Sequence, residues 1–131
     1  MIRISLILAL SALAAGRAAA EDPDFKKDVA PILEGSCLKC HNDKKAKGKL
    51  NMSTKESFMK GGEDTKLIEA GKPDTSALIK VLLLPADDDD AMPPKDKAPR
   101  PTAAQIEILK KWITAGAKWP DGVTLKAKDE K

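Results

Sequence analysis

The sequence predicts an all-α fold of about four helices with long connections. Apolar residues recur at helical spacing in four segments, and most of these segments begin with a capping residue. No alternating apolar and polar run is long enough to predict a strand. The chain has only two Phe, two Trp and no Tyr, so its core is thin. Small scaffolds of this kind are often completed by a disulfide, a metal or a cofactor.

The first two predicted helices lie in the first half of the chain. The first covers residues 24–34, with Asp24 as its N-cap, and Pro31 is expected to bend or interrupt it. Ser53 and Glu56 have the spacing of a capping box and predict the start of a second, short helix. A Gly-Gly pair is expected to end that helix.

The other two helices lie in the second half. The third is predicted to follow the turn at residues 73–75 and to stop before Pro85, which cannot continue it. The fourth has the clearest pattern, because a capping box of Thr102 and Gln105 precedes an apolar stripe. Gly116 is expected to end it.

The connection between these two helices is unusually long. Residues 85–101 contain five prolines, a run of four aspartates at 87–90, and one methionine. Loops of this length are usually functional or disordered, and the prolines favour a stiff path past some other group. The aspartates are interpreted either as a hydrated turn or as a docking or cation-binding segment.

Residues 1–20 have the pattern of a secretory signal peptide, with a basic start, an apolar stretch and a small-residue cleavage site. The sequence therefore predicts export to the periplasm or secretion. Cleavage would leave one domain, residues 21–131, with 21 basic and 20 acidic side chains. Such a balance gives no support for nucleic-acid binding. The remaining chain has no second apolar stretch, so no membrane span is expected.

The segment Cys37-Leu38-Lys39-Cys40-His41 contains both cysteines and the one histidine of the chain. The CxxCH pattern is the attachment signature of c-type haem. Two thiols three positions apart on a tight helical turn can bond the two vinyl groups on one porphyrin edge, and the next residue then turns its imidazole toward the iron. The motif predicts one covalent haem c on Cys37 and Cys40, with His41 as the proximal iron ligand.

Three other interpretations of the motif are possible. A disulfide between Cys37 and Cys40 would close a very small loop and leave His41 without a role. A thioredoxin-like dithiol would be expected at a strand-to-helix junction, and no strand is predicted before Cys37. A zinc site needs about four ligands, and this chain offers one Cys-Cys-His cluster.

A methionine is the expected ligand on the other face of the iron, because a thioether opposite imidazole raises the potential and suits electron transfer. Met92 is the favoured candidate, since it lies in the proline-rich connection just before the last helix. Met52 and Met59 flank the short second helix, where methionine is more often a packing residue.

Short motifs along the chain form one further pattern. They are Phe25 with Asp28-Val29-Ala30-Pro31-Ile32-Leu33, then Cys37 and Cys40-His41, Gly71-Lys72-Pro73, Ser76-Ala77-Leu78, Met92-Pro93-Pro94, Ile106, Leu109, Trp112-Ile113, Gly116-Ala117 and Trp119-Pro120. In this order they resemble the planctomycete-type cytochrome c domain, which is similar to class I cytochromes c. The resemblance implies a small class I-like fold wrapped around one haem, with first and last helices that cross beside it. It also implies covalent haem at Cys37 and Cys40, with His41 and Met92 as axial ligands.

These observations predict a monomeric electron carrier that exchanges single electrons with redox proteins and is not an enzyme. The alternative is a haem enzyme or gas sensor whose sixth iron site is open or labile. Further haem-pocket residues are expected at Leu50, Leu78, Leu82, Leu109 and Trp112. A lysine cluster at 39, 44, 45, 47 and 49 either steers an acidic partner or serves only solubility.

Overall fold

A computed structural model describes residues 21–128 of the chain. Within this part there are four α-helices and no strand, so the all-α prediction is confirmed there. The helices are α1 (Ala30–Ser36), α2 (Lys55–Lys60), α3 (Ala77–Leu83) and α4 (Ala103–Thr114). The predicted signal peptide, residues 1–20, lies outside the described residues. Each helix of residues 21–128 is too short or too polar to span a bilayer.

The first helical segment begins with a π-helical stretch, Phe25–Val29, that continues directly into α1. Asp24 is the N-cap, as predicted: its carboxylate accepts a hydrogen bond of 2.8 Å from the amide of Lys27. The helix type changes at Ala30, one residue before Pro31. Proline has no amide hydrogen and its ring disturbs the preceding turn, which is the interruption expected from the sequence.

The start of α2 corrects the predicted capping box. Thr54, and not Ser53, is the N-cap, and its partner three residues later is Ser57 rather than Glu56. Ser53 is buried, and its carbonyl accepts a hydrogen bond from the amide of Leu125. Because the distant tail holds the Ser53 backbone in this way, the helix begins one residue later than predicted.

The Gly-Gly pair ends α2 as predicted. The backbone of Gly61 has φ +79°, a conformation that residues with a side chain rarely adopt. A Cβ atom at this position would lie 2.5 Å from the carbonyl oxygen of Thr65. Glycine is therefore required both by the turn and by the close approach of the following loop.

The boundaries of the last two helices follow the predicted signals. Leu84 adopts an extended conformation after α3, as expected for the residue before Pro85. At the start of α4, the side chain of Thr102 accepts a hydrogen bond from the amide of Gln105, and the Gln105 side chain accepts one from the amide of Thr102. This reciprocal pair confirms the predicted capping box.

All four aromatic rings of the chain pack together in one aromatic cluster. Phe25 and Phe58 each contact Trp112 and Trp119, with ring centroids 4.4 to 5.8 Å apart. These residues come from the first helical segment, α2, α4 and the tail after α4. Every one of them is buried. The cluster therefore joins the beginning, middle and end of the fold in a single core.

The tail after α4 pairs with the first half of the chain. The amide of Lys126 donates to the carboxylate of Glu34, and the amide of Lys128 donates to the Glu34 carbonyl. Leu125 is buried next to its backbone contact with Ser53. The tail thus fixes α1 and the start of α2 from one side.

We predict that Thr102→Ala lowers the free energy of unfolding by about 1 kcal/mol, because the first turn of α4 loses its capping acceptor. Chemical denaturation is the measurement. Thr114→Ala is the matched control on the same helix: Thr114 is exposed and bonds only the carbonyl of Lys110. Equal effects of the two substitutions would contradict the capping role.

Candidate functional site

The CxxCH motif forms the tight helical turn that its spacing predicts. The amides of Cys40 and His41 both donate to the carbonyl of Cys37, at 3.3 and 3.1 Å. The amide of Cys37 in turn donates to Leu33, so the motif continues directly from α1. Both cysteines are unpaired and partly buried. Their thiols are therefore free to form other covalent bonds.

One nitrogen of the His41 ring is held by the backbone. Nδ1 lies 3.0 Å from the carbonyl oxygen of Lys47. Because a carbonyl can only accept, Nδ1 carries the hydrogen and Nε2 keeps a free lone pair. Burial, the largest influence, lowers the pKa of His41 and favours the neutral ring. The ring orientation and the neutral tautomer, with hydrogen on Nδ1, are those of a metal-binding histidine.

Asn42 organises the loop that carries the Lys47 carbonyl. Its side-chain nitrogen donates to the carbonyl of Leu38 at 2.7 Å. Its oxygen accepts from the amides of Lys44 and Lys45 at 2.9 and 2.7 Å. The sequence interpretation missed this residue, although an Asn-Asp pair directly after a functional histidine is a turn signal. Asn42 holds together both ends of the turn around His41.

One apolar cavity contains the predicted covalent and axial residues. Its lining residues surround about 480 Å³ of empty space, a volume that includes space open to solvent. Its lining residues are Ser36, Cys37, Cys40, His41, Leu50, Met52, Leu67, Leu78, Val81, Leu82, Met92, Pro93, Pro94, Lys97 and Ala98. A wider groove adjoins it, and both spaces are lined by His41 and Met92.

Two methionines line this cavity. The amide of Met92 donates to the carbonyl of Val81 in α3, which fixes the favoured methionine beside the cavity. Met52 is almost completely buried, and its amide donates to the carbonyl of His41. Met59 packs against the core and is not among the lining residues.

The remaining predicted pocket residues divide into two groups. Leu50, Leu78 and Leu82 line the cavity. Leu109 and Trp112 do not; both are buried in the core, and the Trp112 ring belongs to the aromatic cluster.

Val81 and Leu67 are among the lining residues that were not predicted. Val81 follows Leu78 by three positions on α3, and this helical spacing could have identified it. Leu67 lies outside the helices, where no periodic signal was available. Its carbonyl accepts from the amide of Leu78, which brings that loop to the cavity.

The long connection runs past the cavity, as its prolines suggested. Residues 92–94 and 97–98 line the wall. The four aspartates at 87–90 are exposed in a turn closed by local hydrogen bonds such as Asp90 to Asp88. The lysines at 39, 44, 45, 47 and 49 are all exposed, and Lys49 forms an ion pair with Glu63.

The geometry gives no support to the other interpretations of the motif. Burial, followed by repulsion from Cys40, raises the pKa of the Cys37 thiol to about 12, whereas a redox-active dithiol has a lowered pKa. Within residues 21–128, no three His, Cys, Asp or Glu side chains converge on a point suitable for a metal ion. The described part also has no strand before Cys37.

The donor set fits a covalently attached haem. Two free thiols stand three positions apart on one turn, and the next residue offers an imidazole with its Nδ1 already bound. A thioether from Met92 and apolar walls complete the same cavity. Soft sulfur and imidazole donors in an apolar pocket are the environment in which proteins hold haem iron.

We predict that Asn42→Ala lowers the free energy of unfolding by about 1 kcal/mol, because three backbone groups lose their partner. The amides of Lys44 and Lys45 should exchange with solvent several-fold faster. Asn42→Asp is the matched control: a carboxylate still accepts from both amides but cannot donate to Leu38. Unchanged protection of both amides in Asn42→Ala would contradict this role.

Comparison with known proteins gives one match. Residues 37–96 match the family model described as Planctomycete cytochrome C, a segment that begins at Cys37 and includes Met92. No curated protein and no solved structure matches the chain. The matched family implies a covalently bound haem with iron. The resemblance seen in the sequence is thereby confirmed for residues 37–96, which match a planctomycete-type cytochrome c domain.

Proposed function

We propose that this protein is a c-type cytochrome that carries single electrons between redox proteins outside the cytoplasm. One haem c is attached to Cys37 and Cys40, with His41 as proximal and Met92 as distal ligand. Residues 21–131 form one monomeric domain, folded around the haem as in class I cytochromes c, and residues 1–20 direct its export. The protein acts as a carrier and not as an enzyme.

One observation carries this proposal: a single apolar cavity is lined by both thiols, by His41 and by Met92. The cysteines and the histidine are adjacent in sequence, so their proximity is expected. Met92 is 51 positions after His41 in the chain, and the fold brings it to the same space. Bound haem supplies a one-electron couple between ferrous and ferric iron.

The residues around the cavity keep both axial donors in place. The hydrogen bond from Nδ1 of His41 to Lys47 fixes the ring orientation. On the other side, the amide of Met92 is held by the Val81 carbonyl. A complete and fixed coordination sphere needs little rearrangement when the iron changes charge. That property favours electron transfer over binding of small molecules.

The surroundings allow an electron to enter and leave without exposing the whole site. Leu78 and Leu82 line the cavity, are themselves buried, and exclude water from that side. The adjoining groove is open to solvent and is lined by His41, Lys47 and Met92. A redox partner that docks at this groove would come close to both axial ligands.

We predict that the purified wild-type protein, made in a host with cytochrome-maturation machinery, is coloured and heavier than its polypeptide by one haem. The double variant Cys37→Ala/Cys40→Ala should lose both the covalent mass and the colour. Denaturing mass spectrometry is the measurement, because only a covalent group survives it. A colourless wild-type product with the mass of the bare chain would refute the proposal.

We predict that reduced wild-type protein does not change its absorption spectrum on addition of carbon monoxide, because Met92 fills the sixth position. Met92→Ala should open that position, so carbon monoxide shifts the spectrum at once. The reduction potential of this variant should also fall, since the thioether favours ferrous iron.

Two control variants distinguish the methionines. Met52→Ala changes a residue of the same cavity, and Met59→Ala changes one outside it; both should remain insensitive to carbon monoxide. If Met52→Ala opens the iron instead of Met92→Ala, the distal ligand has been assigned to the wrong residue. A shift in the wild type would favour the enzyme or sensor alternative.

A further inference from the structure

Arg100 carries a buried nitrogen without a partner. Its Nη2 donates to the carbonyls of Leu82 and Leu84, at 3.1 and 2.8 Å, where α3 ends. Its Nη1 is buried and has no hydrogen-bond partner among residues 21–128. Buried polar groups are nearly always paired, and leaving a charged one unpaired is costly. The guanidinium therefore has capacity for one more acceptor.

The position of Arg100 relates this capacity to the cavity. Leu82, whose carbonyl it bonds, lines the cavity, and so does Ala98, two residues before it. Lys97 also lines the cavity and is the one permanently charged residue of its described lining. The loop segment 97–100 thus places one cation, Lys97, in the cavity lining. A second, Arg100, lies next to the lining residue Leu82 without itself lining the cavity.

No acidic side chain of the described residues neutralises these cations. The ion pairs of this part of the chain join Lys49 to Glu63 and Lys110 to Glu107. Arg100 takes part in neither. An anion that reaches the wall at Leu82 and Ala98 would find an unpaired guanidinium nitrogen next to it. Charge-assisted hydrogen bonds of this type are stronger than those between neutral groups.

We propose that Nη1 of Arg100 binds a propionate carboxylate of the haem, with Lys97 as a second cation on the solvent side of the same edge. This inference rests on the proposed function, because haem is the group that brings carboxylates to the cavity. An apolar cavity can bury a carboxylate only if a partner compensates its charge. Arg100 is a positioning and charge-compensating residue and does not touch the iron.

A residue that bonds a propionate should affect the reduction potential, whereas a residue that only caps α3 should not. A cation near the propionate favours ferrous iron, because it repels ferric iron, which carries one more positive charge, more strongly. Arg100→Gln should therefore lower the equilibrium constant for reduction by about three- to tenfold, where tenfold corresponds to about 59 mV for one electron. The propionate bending band in the resonance Raman spectrum should shift as well.

Lys95→Gln is the matched control. It removes the same charge from the same loop, but Lys95 is exposed and does not line the cavity. The potential and the propionate band should stay at wild-type values in this variant, and Lys97→Gln should give a smaller change than Arg100→Gln. If Arg100→Gln merely lowers stability and matches Lys95→Gln in potential and Raman band, the inference is overturned.

A crystal structure of the wild-type protein with haem tests the same claim without any substitution. Nη1 within hydrogen-bond distance of a propionate oxygen supports it, and Nη1 bonded to water or to a peptide carbonyl overturns it. Failure of this inference can be distinguished from failure of the proposed function. Covalent haem with an unshifted Arg100→Gln potential refutes this inference alone, whereas a wild-type protein without covalent haem refutes the proposed function with it.

Discussion

The fold depends on the packing of four aromatic rings against one another. Phe25, Phe58, Trp112 and Trp119 are all the aromatic residues that the chain has, and each comes from a different segment. Aromatic side chains contribute most of the buried area in small cores, and paired rings add a directional term. Because all four of these rings pack in the cluster, no Phe or Trp side chain lines the cavity next to the two thiols. Aliphatic and sulfur-containing side chains form that wall instead.

This division explains why a domain with so few large side chains can hold a cavity. Small domains bury a modest share of their surface and need additional links. Here the aromatic cluster joins segments that extend from Phe25 to Trp119. Residues between α1 and α4 form most of the cavity wall. The segments that carry the proposed iron ligands are held mainly by backbone hydrogen bonds, such as Met92 to Val81 and His41 to Cys37.

The parts that were predictable from the sequence are those fixed by neighbouring residues. The CxxCH turn, the Asp24 cap and the Thr102 capping box each depend on contacts within four positions, so their spacing was enough. The cap of α2 was displaced to Thr54 because Leu125, far away in sequence, bonds the carbonyl of Ser53. No local pattern contains that contact.

The same limit applies to the cavity wall. Leu78 and Leu82 were expected at the pocket and line the cavity from α3. Leu67 reaches the cavity through a loop contact that has no helical period. Trp112 shows the opposite case: its apolar stripe predicted burial, and it is buried, but the stripe does not tell which neighbours it meets. Periodicity shows which face of a helix is buried, but only the tertiary structure shows which residues that face contacts.

The contact between Lys126 and Glu34 spans 92 positions and has a consequence for the order in which the chain is assembled. This bond cannot form until the chain has been synthesised as far as Lys126. Long-range contacts of this kind also close slowly. The helix that leads into Cys37 is consequently fastened late. In the function proposed above, haem would therefore be attached to Cys37 and Cys40 most readily before this contact forms, because the folded chain partly buries both thiols.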